Sequence, residues 1–256
     1  MHLYLHILGK TFPSYGFMIC CGVILANVIG MFVLKHWELD FNDFMILEAY
    51  TLLGGFIGAK GLYILVSFPN IEWNKIFNLI YLKNLVTGGY VFYGGLIGGF
   101  FFLFFANYVH HIENFKAYIV HFIFLIPLVH GFGRIGCFCA GCCYGIPYEG
   151  IFSIIFPEGG FAPSGISLFP VQLLEAAGLW MISFFICFLE IKKDVCYTVE
   201  LYIGLYSILR FVLEFFRYDS YRGKIGILSI SQWISILLCF SVLVIVLYRN
   251  IILKNK

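Results

Sequence analysis

The chain reads as an all-α polytopic membrane protein with about seven transmembrane helices and small extracytoplasmic arms and loops. Three observations predict this class. Only 12% of its 256 residues are charged, where a soluble domain carries about 25%. Hydrophobic residues make up 61% and the mean hydropathy is +0.93. The apolar residues also gather in runs long enough for a helix to cross a bilayer, which takes about 20 residues.

Those runs are residues 15–34, 44–68, 88–108, 116–131, 171–190, 196–216 and 230–248. The first is longer than the apolar core of a cleavable signal and has no cleavage-like tail, so it is expected to be the first span. Residues 1–14 are short and mixed and suit the membrane interface. The stretch 69–87 interleaves apolar residues with Trp73, Lys75, Tyr81 and Lys83, the pattern of an interfacial arm rather than a span. Residues 146–169 hold three prolines and the short apolar run IFSIIF, which suits a small hairpin outside the membrane. With no internal repeat and no soluble segment, residues 1–256 are expected to form a single integral membrane domain. Cys20, Cys21, Cys187 and Cys239 lie inside apolar runs and read as small buried hydrophobes. A net charge of +2 says little about partners, and nothing points to nucleic acid.

Charge placement gives an orientation. Arg134 and Arg217 sit in motifs suited to binding and are set aside as topology signals. Lys35, Lys116, Lys192, Lys193, Arg249, Lys254 and Lys256 then outweigh Lys10, Lys75, Lys83, Arg222 and Lys224 on the opposite side. The positive-inside rule places the C-terminus in the cytoplasm and the N-terminus outside.

The polar residues then converge on one membrane level. Tyr15 and Gly16 open the first span, and Tyr93, Gly94 and Gly95 sit in the outer part of the third. The segment His130–Gly145, which reads as non-spanning, joins the fourth and fifth runs and holds five glycines, four cysteines and Arg134. Gln172 and Glu175 share one face in the first turns of the fifth span. Arg210, Glu214 and Arg217 share a face at the end of the sixth, with Arg210 about 10 Å deeper than Arg217 at the helical rise per residue. Gln232 opens the seventh.

Each group also has a structural reading. Arg210 and Glu214 could be an intramembrane ion pair, although intramembrane charges are functional by default. Gln172 and Glu175 could join helices by hydrogen bonds, and the GGxxGG of Gly94, Gly95, Gly98 and Gly99 reads first as helix packing. Tyr15 alone would suit an aromatic belt, and His110 and His111 read as solvated. Lys60, inside the second run, must snorkel or meet an anion.

The pattern GRIGxFxxGxxYG at 133–145, then PxQLxE at 170–175 and RFxxEFFR at 210–217, resembles the prolipoprotein diacylglyceryl transferases. The resemblance extends over nearly the whole chain, from Tyr15-Gly16 to Ser231-Gln232. It implies seven helices in the bacterial inner membrane with an outward N-terminus. It also implies transfer of the diacylglyceryl group of phosphatidylglycerol to the lipobox cysteine of a prolipoprotein signal peptide, with release of glycerol 1-phosphate. On this resemblance Arg134, Arg210, Glu214 and Tyr93 are the candidate catalytic residues. Tyr15, Lys60, Gly94, Gly95, Gly145, Gln172, Glu175 and Arg217, with Arg134 again, are the candidate substrate-binding residues. Lys60 stands where the family usually has arginine. No metal or organic cofactor is expected: two arginines can grip the phosphodiester by charge-assisted forks and stabilise the leaving phosphate.

Four positions depart from the family pattern. Cys137 replaces its asparagine, Cys142 its acidic residue, Tyr93 the histidine of its His-Gly-Gly, and Phe169 the histidine before the QLxE. A tyrosine, with a phenol pKa of about 10, is a poor general base at neutral pH, leaving Glu214, His130 or water to take the thiol proton. Three readings of Cys137, Cys139, Cys142 and Cys143 stay open: small residues in a tightly packed loop, redox-active thiols or a disulfide, and a metal site. The thiolates could also serve as base or transient acyl carriers. The alternative function is a divergent relative that binds lipid, or does thiol redox work, without transferase activity.

Overall fold

The computed structural model describes residues 4–7, 9–193, 197–218 and 223–254. Arg222 and Lys256, counted above for orientation, lie outside them. The chain falls into two compact units, residues 1–33 with 119–256 and residues 34–118.

The first unit begins with a hairpin, β1 (Tyr4–Ile7) and β2 (Lys10–Pro13), where residues 1–14 were expected to lie along the interface. It leads directly into α1 (Ser14–His36). The short α5 (Phe115–Phe122) and α6 (Leu125–Ala140) follow as a pair bent by 46°. Pro127 falls in the first turn of α6, where its missing N–H costs nothing. The expected hairpin in 146–169 is present as β3 (Ile154–Ile155) paired antiparallel with β4 (Ser167–Leu168). It closes over a small core of Phe156, Ala162 and Leu168. Then come α7 (Val171–Lys193) and α8 (Thr198–Leu213), the latter prolonged by a 3-10 turn at Glu214–Phe216. A two-residue hairpin, β5 (Lys224–Ile225) and β6 (Leu228–Ser229), precedes α9 (Ile230–Lys254). Numbering in chain order, the second unit holds α2 (Phe41–Ser67), α3 (Leu79–Thr87) and α4 (Phe92–His110).

Each apolar run of the sequence is thus a helix, or for 116–131 a bent helix pair. Four of the described helices are long and apolar enough to cross a membrane, and the bent pair makes up to five.

One expectation is corrected. The segment 130–145 was expected to connect two spans, yet His130–Ala140 forms the last turns of α6. Two of its glycines, Gly131 and Gly136, are points of close approach inside the helix. A Cβ on Gly131 would meet the Trp180 indole of α7, and one on Gly136 would come within 3.0 Å of Tyr15 in α1. Removing side chains lets three helices approach, an advantage that overrides the weak helix propensity of glycine. Only Gly141 is left-handed, with φ of +71°, and it ends the helix as its C-cap.

The packing of the first unit relies on buried polar bonds, as expected where no water satisfies the backbone. Trp180 Nε1 donates to the Leu128 carbonyl at 3.2 Å and Ser183 Oγ to that of Phe124 at 2.8 Å, tying α7 to α6. Thr198 Oγ1 donates to the Val120 carbonyl, and His121 pairs with Glu190.

In the second unit, α2 starts on Asp40, whose carboxylate accepts from the backbone N–H of Asn42 and Asp43. α2 and α4 then pack backbone to backbone. A Cβ on Gly58 would fall 2.8 Å from Gly98 Cα, and any Cβ on Gly54, Gly94 or Gly98 would strike the partner helix as well. The arm 69–87 is short 3-10 turns followed by α3, capped at Asn78.

Candidate active site

The site lies in the first unit, where α6, α7 and α8 each deliver charge to one place. Glu175, 1% exposed, stands one turn into α7. Its carboxylate lies 3.0 Å from Arg134 of α6, 3.7 Å from Arg217 and 4.0 Å from Arg210 of α8. Arg210 pairs in turn with Glu214, one turn along its own helix, and reaches Ser231 Oγ of α9 at 3.4 Å. Three guanidiniums against two carboxylates leave one positive charge, buried. Carrying such groups out of water costs several kcal/mol per ion, on the order that only a close network offsets.

The network is positively poised. Among the described residues of the network, Arg134 Nε and Arg210 Nη1 are buried donors, and the Glu175 oxygens buried acceptors, without a hydrogen-bond partner. Buried donors left unsatisfied are costly, which makes such a place a receiver for a ligand with acceptor oxygens. One monoanion with several oxygens would neutralise the excess charge and satisfy both donors.

The loop after α6 is fastened beside this network. Gly145 bridges antiparallel to Arg217, with Ile146 N–H donating to Phe216 at 3.0 Å and Tyr218 N–H to Tyr144 at 3.3 Å. A Cβ on Gly145 would strike the Phe169 and Phe216 carbonyls, so only glycine fits the approach. Gln172 Nε2 donates to the Cys142 carbonyl at 2.8 Å, fixing the loop from α7. Three of the four signature cysteines meet: the Sγ atoms of Cys137, Cys142 and Cys143 lie within 4.8 Å of one another, and Cys139 is not among them.

Other candidates are placed differently. Tyr15 packs its backbone and ring against Gly136 of α6. Gln232 forms a reciprocal cap with Ser229 at the start of α9, its Oε1 accepting the Ser229 N–H at 2.9 Å while Ser229 Oγ accepts the Gln232 N–H. Lys60, Tyr93, Gly94 and Gly95 belong to the second unit. The Lys60 ammonium ends on the carbonyls of Leu85, Gly88 and Gly89, and over the Tyr63 and Tyr90 rings, rather than on an anionic side chain. Gly94 faces α2, a Cβ on Gly95 would lie 3.3 Å from the Gly55 carbonyl in the same seam, and Tyr93 is exposed.

Sequence reasoning passes over Tyr206, whose ring meets that of His130 edge-on with centroids 5.4 Å apart. A signal for it exists: Tyr202, Tyr206, Arg210 and Glu214 recur every four residues along one face.

A family model described as prolipoprotein diacylglyceryl transferase matches residues 3–248. The chain belongs to the prolipoprotein diacylglyceryl transferase family. Among curated members, it is 34% identical over 237 residues to phosphatidylglycerol–prolipoprotein diacylglyceryl transferase 2 of Clostridium perfringens, covering 90% of this chain and 88% of the relative. It is 32% identical over 249 residues to the enzyme of Clostridium tetani, covering 96% and 95%. The Staphylococcus haemolyticus enzyme is 30% identical over 246 residues, covering 93% and 84%. Membership agrees with the apolar helices in making the chain a multi-pass membrane protein.

Proposed function

We propose that the chain is a phosphatidylglycerol–prolipoprotein diacylglyceryl transferase. The observation that carries this reading is the buried cluster of Arg134, Arg210 and Arg217 around Glu175 and Glu214, one positive charge in excess. Phosphatidylglycerol brings one phosphodiester charge, with oxygens to spare, to the headgroup level. Arg134 and Arg210 grip that phosphate, and Glu175, bridging the three guanidiniums, offsets their mutual repulsion and keeps them aimed. Glu214 orients Arg210. The lipobox thiol attacks the glyceryl carbon: a carbon–sulfur bond forms, the carbon–oxygen bond breaks, and its electron pair leaves on the phosphate oxygen as glycerol 1-phosphate. Charge that grows on that oxygen meets donors already in position, so the transition state gains more than the ground state.

The setting follows from the same reading. The protein sits in the bacterial inner membrane with its N-terminus outside and its C-terminus in the cytoplasm, supported by the excess of lysine and arginine on the C-terminal side. The test is direct. Purified protein in detergent is incubated with phosphatidylglycerol and a synthetic lipobox peptide, and the peptide mass is read. A diacylglyceryl adduct on the peptide cysteine, lost with Arg210→Ala, supports the assignment; folded, lipid-binding protein that leaves the peptide unmodified refutes it.

A further inference from the structure

The thiol must lose its proton, yet both carboxylates of the network are engaged by guanidiniums. What the loop offers instead is sulfur. We propose that Cys137, Cys142 and Cys143 hold a zinc ion whose fourth position takes the lipobox cysteine as thiolate. This rests on the transferase reading above.

The geometry was built locally. Cys137 lies in the last turn of α6, and Gly141, left-handed, reverses the chain immediately after it. The Cys142 N–H returns to the Cys137 carbonyl at 3.0 Å. Cys143 then adopts φ of +58°, a conformation that a non-glycine residue rarely takes and that costs energy. The combined effect is to bring thiols at positions i, i+5 and i+6 to one point. Four thiolates around tetrahedral zinc stand about 3.8 Å apart for a zinc–sulfur bond of about 2.3 Å. The present spread of up to 4.8 Å is reached from there by small side-chain shifts.

The donor set selects the ion. Thiolates suit soft or borderline d10 ions and not magnesium or calcium. Three protein ligands with one place open is the arrangement of a working zinc site, whereas structural sites are closed by four. Zinc with three thiolates carries one negative charge, which faces Arg217, while Arg134 and Arg210 are the guanidiniums that grip the phosphate. Gln172, through the Cys142 carbonyl, supports the ligand loop from behind. Bound at the open place, the substrate thiol gives its proton to solvent and its sulfur becomes the nucleophile. The later bond changes are those already written, and zinc is neither oxidised nor reduced.

The full-length protein, purified in detergent with reductant and dialysed against zinc, is assayed for bound metal and, after cobalt exchange, for its visible spectrum. The proposal expects about one zinc per chain, retained in Cys139→Ser and reduced at least tenfold in Cys142→Ser. Cobalt should give an intense thiolate charge-transfer band. A lipobox peptide should then shift the visible bands toward a four-sulfur pattern, while its Cys→Ser version should not. Wild-type protein that binds no zinc, takes up copper in its place, keeps its zinc in Cys142→Ser, or shows Cys137–Cys143 two hydrogens lighter would overturn it. If the variants fail to fold, the cobalt spectrum of the wild type decides. Transfer intact without zinc sinks this proposal alone; zinc bound without transfer sinks the transferase reading.

Discussion

The α2–α4 pair and the α6–α7–α8 cluster are both rich in glycine and both hold a cation, half-buried as Lys60 in the first and buried as Arg210 in the second, yet they use these residues in opposite ways. Between α2 and α4, glycines 54, 58, 94 and 98 let two backbones touch, and Lys60 is consumed in capping the end of α3. Around α6, glycines 131 and 136 bring α7 and α1 close so that polar side chains further along the helix can converge. There Arg134 meets a carboxylate shared with two other arginines, and the sum is not neutral. Glycine density therefore marks close approach and says nothing of chemistry. An unbalanced buried charge is what distinguishes the site from the seam.

Substitutions can break this contrast. The largest effect is expected for Arg134→Ala and Arg210→Ala, which should each lower transfer by roughly 100- to 1000-fold, the usual loss for a preorganised donor to developing negative charge. Initial rates of peptide lipidation would show it, and a change below tenfold in both would contradict a role in phosphate binding. Next comes Glu175→Gln. Removing the shared partner leaves three guanidiniums facing one another and should cost about 3–5 kcal/mol, seen as a large fall in the detergent unfolding midpoint. Gly58→Leu should destabilise the second unit by about 1–3 kcal/mol through overpacking. Gly95→Ala, whose new Cβ meets nothing closer than 3.3 Å, should be far milder, and equal effects would mean that the seam is looser than described. Lys60→Met should be the smallest, about 1 kcal/mol, with Lys60→Arg restoring it, because bonds to carbonyls and contacts with two tyrosine rings are lost at a half-exposed position.

Much of this was legible in the residues. Apolar runs located every described α-helix except α3, which lies in the arm 69–87, and the i, i+3 and i, i+4 spacings of Gln172–Glu175 and Arg210–Glu214 placed those pairs on common faces. The turns at 146–169 were visible from proline and the IFSIIF run. What failed was the expectation of a connection at His130–Ala140. Local propensity treats glycine as a breaker, while the reason for helix there is the Trp180 and Tyr15 contact, set by residues distant in sequence. Glu175 as the hub was hidden for a similar cause: its partners come from positions 134, 210 and 217, and no local window contains them. The fates of Gln232 and Lys60 were likewise decided by particular backbone groups that composition does not reveal.

The central claim is that the arginine cluster is a site for one phosphodiester charge. Native mass spectrometry of the detergent-solubilised protein, offered equal amounts of phosphatidylglycerol and zwitterionic phosphatidylethanolamine, tests it most directly. The account predicts one retained phosphatidylglycerol in the wild type, little phosphatidylethanolamine, and loss of that preference in Arg210→Ala. Equal retention of the two lipids, or a preference that survives Arg210→Ala, would contradict it.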